Sequence, residues 1–146
     1  MIVGNDRVAV WLQFADVVRL IRRELGKSMK EYDVSLTEFR ILSALDKKGP
    51  MTMARIADEL LITRAGTTLL TDSLEKKRLV NRVRLEGDRR LVHIRLTRKG
   101  RAVAAAALKG QMLLLEEMLR ALNDGDMAAL KGITAKLRSS LDNMQH

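Results

Sequence analysis

The chain has 146 residues, is 47% hydrophobic and carries 27 basic against 18 acidic side chains, a formal net charge of +9. That length suits one domain with a sizeable core, or a small domain plus helices that need a partner chain, and leaves little room for two independent domains. The absence of cysteine excludes disulfides, thiolate zinc sites, iron–sulfur clusters and thiol redox sensing, and no apolar run approaches the roughly 20 residues of a membrane span, so a cytoplasmic protein without a cofactor is expected.

The charge has an address. Eleven basic residues lie between Lys76 and Arg101 against two acids, Glu86 and Asp88, so this segment holds the whole net charge of +9. A basic block on an otherwise balanced chain points to a polyanionic partner.

In chain order, residues 8–30 read as a first helix, because Trp11, Phe14, Val18, Ile21 and Leu25 recur at steps of three and four. Ser35 and Glu38 form an S-x-x-E capping box for a second helix, which Gly49-Pro50 stops. Thr52 is placed to cap a short third helix over 53–60, and Thr63 a fourth over 64–77. Two helices so close in sequence must cross at an angle, the helix-turn-helix arrangement. In the fourth, Leu69, Leu70 and Leu74 are expected to face inward, leaving Arg64, Thr67, Thr68 and Thr71 as the outer, DNA-reading face.

The period then changes to two. Val83 and Leu85 alternate with Arg82 and Arg84, and Val92, Ile94 and Leu96 with His93 and Arg95. Gly87 and Asp88 between them are turn formers, so a hairpin is expected that presents Arg82, Arg84, Asp88, Arg89 and Arg90. Thr97 can cap a long fifth helix to about Ala121, and Asp124 or Asp126 a sixth. The expected fold is mainly α with a small β-hairpin wing: a winged helix-turn-helix lobe over 35–97, with a helical dimerisation region over 8–30 and 98–146. The apolar stripes of the first, fifth and sixth helices exceed what so small a lobe covers, which points to a homodimer.

With these residues in hand, the chain resembles the MarR family of regulators. The sharpest match is Asp88-Arg89-Arg90 followed by an alternating strand and Leu96-Thr97-Arg98-Lys99-Gly100, similar to the family's D-x-R wing and L-T-x-x-G helix start. Leu74-Glu75-Lys76-Lys77-Arg78-Leu79-Val80 is similar to the L-E-K-K-G-L-V that ends its recognition helix, with Arg78 in place of the usual Gly. The resemblance implies a sequence-specific, homodimeric, double-stranded-DNA-binding regulator, a repressor on an inverted-repeat operator. It also implies that Arg90 reaches the minor groove, that Asp88 positions that arm by an ion pair, and that a small aromatic or lipophilic effector weakens DNA binding.

Trp11, Phe14 and Phe39 either line such an effector pocket or belong to dimer and domain core, where large aromatics usually sit. His93 has no second His or Cys for chelation, so no metal is expected. No Gly-rich phosphate loop, nucleophile elbow or H-x-x-x-H is present, which argues against an enzyme. The competing class is a nonspecific, architectural DNA-binding protein, for which a basic wing suffices without base readout.

Overall fold

The computed structural model describes residues 4–145, leaving the side-chain environments of positions 4, 5 and 88 outside the description. The described residues fall into two compact units, one reaching to Met112 and one beginning at Leu113. In the first, helix α1 (Gly4–Met29) runs into a 3-10 turn at Lys30–Tyr32, and α2 spans Leu36–Lys48. The expected capping box is formed: the Ser35 hydroxyl accepts from the Glu38 amide at 3.0 Å, and the Glu38 carboxylate accepts from the Ser35 amide at 2.8 Å. Helix α3 (Met53–Leu60) and helix α4 (Arg64–Lys76) are capped as expected by Thr52 and Thr63.

A two-residue strand, β1 (Met51–Thr52), precedes α3 and was not expected from the sequence. Two residues carry no alternation; β1 is a strand only because it pairs antiparallel with Ile94 and His93, some forty positions on. The hairpin is β2 (Val80–Leu85) and β3 (Asp88–Leu96), with Gly87 at φ 91° in its turn and sheet order β1-β3-β2. Ile41, Leu42, Met51, Ile56, Leu74, Val80 and Ile94 fill the core beneath this sheet.

The register of β2 against β3 places Arg82. Val80 pairs with Leu96 and Arg82 with Ile94, so Arg82 lies on the same sheet face as these core residues. Partners directly opposite on antiparallel strands share a face, yet the expected alternation holds in exposure: Arg82 and Arg84 are exposed, Val83 and Leu85 half-buried.

Helix α5 (Arg98–Leu119) opens with the Thr97 hydroxyl accepting from the Gly100 amide at 3.0 Å. A Cβ on Gly100 would stand 1.9 Å from the Leu79 carbonyl oxygen, so only glycine lets α5 approach the start of the hairpin this closely. In the second unit, α6 (Asp124–Met144) is capped by Asn123, whose side chain accepts from the Asp126 amide, instead of by Asp124 or Asp126. Asp126 supplies the reciprocal half of a capping box. No residue of α6 is buried, and Ile133, Leu137, Leu141 and Met144 are exposed. Among the described residues, no helix is long and apolar enough to cross a membrane.

Candidate nucleic-acid interface

Helix α4 stands beyond a tight turn in which Leu61 takes a left-handed φ of 54° and Ile62 donates back to the Ala57 carbonyl at 3.1 Å. Its inward face is Thr67, Leu70, Thr71 and Leu74, the i, i+3, i+4, i+7 set of one stripe. Thr67 and Thr71 are 0% exposed, which corrects their expected place on the outer surface. The hydroxyl of Thr67 donates to the Thr63 carbonyl at 2.9 Å, so its polarity is spent within the helix. Leu69, expected inside, is 72% exposed, and the outer face is Arg64, Ala65, Thr68 and Leu69. Leu69 stands about 200° round the helix from Thr67, on the side opposite the inner stripe.

Long-range contacts hold α4 in place. The buried Glu38 carboxylate accepts from the Ser73 hydroxyl at 2.6 Å and from the Lys77 ammonium at 3.0 Å; Lys77 also donates to the Asp33 carbonyl at 2.7 Å. Burial pushes the Glu38 pKa up, but the bonds from Ser73, Ser35 and Lys77 outweigh it and hold the carboxyl below its ordinary value of 4.5. The capping box flagged Glu38 in the sequence; nothing local marked Ser73 or Lys77.

Arg78 ends α4 at φ 60°, the left-handed conformation that glycine would take without strain. Its amide donates to the Glu75 carbonyl and that of Leu79 to the Leu74 carbonyl, each at 2.9 Å, which is a Schellman closure. The Thr97 hydroxyl then donates to the Arg78 carbonyl at 2.6 Å, and Lys99 to the Lys77 carbonyl at 3.1 Å. The Thr and Gly of the L-T-x-x-G stretch therefore serve the junction between recognition helix, hairpin and α5.

On the wing, Arg84 donates across the hairpin to the Arg89 carbonyl at 2.6 Å, bracing the tip. Arg89 and Arg90 are exposed there. The expected ion pair of Asp88 with Arg90 lies outside the described residues. Arg82, expected among the DNA-binding cations of the wing, donates to Asp72 at 2.6 Å and to Glu75 at 3.2 Å, both on α4. The lobe thus presents a polar and apolar helix face beside a cationic hairpin, a combination suited to a major groove and its flanking phosphates.

The three aromatic candidates are not brought together within the chain. Trp11 and Phe14 are exposed on α1 with ring centroids 5.8 Å apart, whereas Phe39 is buried in the lobe core. Phe39 borders a hollow of about 390 Å³ together with Ser43, Leu60 and Gln111. A groove of about 670 Å³ runs beside α4, with Leu36 and Leu70 as apolar walls and Glu38, Ser73 and Lys77 as polar ones. Trp11 and Phe14 line neither. Among the described residues no cluster of His, Asp or Glu could hold a metal ion.

A family model described as MarR family matches residues 32–91. The HTH-type transcriptional repressor MdtR of Bacillus subtilis is 27% identical over 133 residues, which cover 91% of this chain and 86% of that protein. The transcriptional repressor MprA of Escherichia coli is 30% identical over 122 residues, covering 82% and 69%. Among solved structures, the transcriptional regulator BldR from Sulfolobus solfataricus superposes with a TM-score of 0.80 at 28% identity, covering 95% of this chain and 99% of that one. A mutant MarR from Escherichia coli complexed with operator DNA also reaches a TM-score of 0.80, at 21% identity and covering 91% and 96%, a likeness of fold.

Proposed function

This chain belongs to the MarR family of transcriptional regulators, and we propose that it is a repressor that binds double-stranded DNA sequence-specifically, as a homodimer on an inverted-repeat operator. The observation that carries the proposal is the adjacency, within one lobe, of the exposed α4 face (Arg64, Thr68 and Leu69) and a hairpin bearing Arg84, Arg89 and Arg90. Arg64 suits guanine or phosphate, Leu69 a thymine methyl, and Thr68, whose hydroxyl donates to the Arg64 carbonyl at 3.1 Å, a thymine methyl or a base-edge donor. Repressor relatives and an operator-bound protein of the same fold support the reading.

Dimerisation follows from surface that water should not see. On α1, Val8, Trp11, Leu12, Phe14 and Val17 are all exposed, and on α6 the Ile133, Leu137 and Leu141 stripe is bare. Contiguous apolar helix faces of this kind call for a partner, and a second copy with two-fold symmetry would set two α4 helices about 34 to 36 Å apart. Sedimentation of the full-length protein at micromolar concentration should give twice the chain mass; a monomer would refute the dimer. Selection of duplexes from a random library should return two inverted half-sites about one helical turn apart. A pool with no enriched sequence favours the architectural reading instead.

Effector release is the second part of the proposal. An aromatic or lipophilic molecule in the groove beside α4 would press on Leu70 and compete for Lys77, the contacts that hold α4 against α2. Trp11 and Phe14 take part only where a second copy closes over α1. A rise in wild-type thermal midpoint with small aromatic carboxylates as probes, together with weaker DNA binding, is the expected result.

A further inference from the structure

Helix α4 carries two acids, Asp72 and Glu75, and one side chain engages both. Arg82, turned toward α4 by its pairing with Ile94, donates from Nη2 to Asp72 at 2.6 Å and from Nη1 to Glu75 at 3.2 Å. Side chains three apart on a helix share an edge, so the guanidinium spans the pair as a fork. Without it, the helix that faces DNA would carry two uncompensated carboxylates where phosphates must approach. We propose that Arg82 is a positioning residue: it neutralises the acids of the recognition helix and ties the first wing strand to that helix, and it makes no phosphate contact of its own. The inference rests on the DNA-binding reading above. Exposed pairs of this kind contribute little to stability; Arg82 is 40% exposed, so its loss falls on binding and not on folding.

Fluorescence anisotropy on the full-length protein separates the two roles, using a 30-base-pair duplex selected by the wild type and its scrambled counterpart at several salt concentrations. Four proteins are compared: wild type, R82Q, D72N/E75Q and R82Q/D72N/E75Q. The expected result is that R82Q binds both duplexes roughly 10-fold more weakly at low salt, a loss that shrinks as salt screens the exposed carboxylates. The triple variant should return to within about 3-fold of wild type, since the exposed carboxylates are gone. A triple variant as weak as R82Q would make Arg82 a phosphate ligand and overturn the proposal. So would R82Q binding like wild type. Circular dichroism checks each fold; if R82Q unfolds, R82K replaces it, with a smaller loss expected and the same rescue by D72N/E75Q. Wild type that binds neither duplex overturns both this proposal and the reading it rests on. Equal binding of both duplexes by wild type removes only sequence specificity and leaves the Arg82 comparison readable.

Discussion

Arg78 and Thr71 show how far single residues depart from what their types suggest. Arg78 occupies a left-handed C-terminal position whose two closing hydrogen bonds are intact, so its strain is local. Arg78→Gly should stabilise the protein by about 0.5–1 kcal/mol, read as a higher thermal midpoint, while removing one cation near the wing. Thr71 is fully buried, and its hydroxyl has no hydrogen-bond partner among the described residues. Thr71→Val keeps the shape and removes that unsatisfied oxygen, so it should raise stability by about 1 kcal/mol and leave DNA affinity unchanged. Weaker DNA binding by this variant would return Thr71 to the outer face. The sequence already identified α4 and its cap at Thr63, because both signals are local. Its rotation was not legible, because five of its residues from Thr67 to Thr71 are Thr or Leu and fit either phase; packing beneath Leu70 and Leu74 decides.

At the scale of elements, α2, α3, α4 and α5 each begin where a Ser or Thr signalled it, at Ser35, Thr52, Thr63 and Thr97, since capping needs only three or four neighbouring residues. What escaped was set by distant partners: β1, the bonds from Arg82 to Asp72 and Glu75, and those from Ser73 and Lys77 to Glu38. That last cluster joins α2 to α4 and gives the lobe an acid-sensitive joint. Because the folded pKa of Glu38 is depressed, its contribution is fully present above 4.5 and lost as pH falls through the lower folded value. Glu38→Gln should cost about 1–3 kcal/mol at neutral pH, and its thermal midpoint should fall less than wild type on acidification below 4.5. The wing is the other element at stake. Arg90→Ala should weaken DNA binding by roughly 1–3 kcal/mol and lower the salt slope by about one unit; unchanged affinity would remove the wing from the interface.

For the whole molecule, the placement of charge and of apolar surface divides the labour. The +9 segment ends as three pieces: the close of α4, a braced hairpin and the first turn of α5. The bare stripes of α1 and α6 are the surfaces that the proposed homodimer would cover. Basic charge alone would also serve an architectural protein, so discrimination between sequences is the claim on which the account turns. Anisotropy of the wild-type protein on a selected duplex and on its scrambled counterpart, across a salt series, tests it most directly. The account predicts that the selected duplex is bound on the order of 10³-fold or more tightly at physiological salt, with a preference that persists as both affinities fall. Equal affinity for the two duplexes at every salt concentration would contradict it.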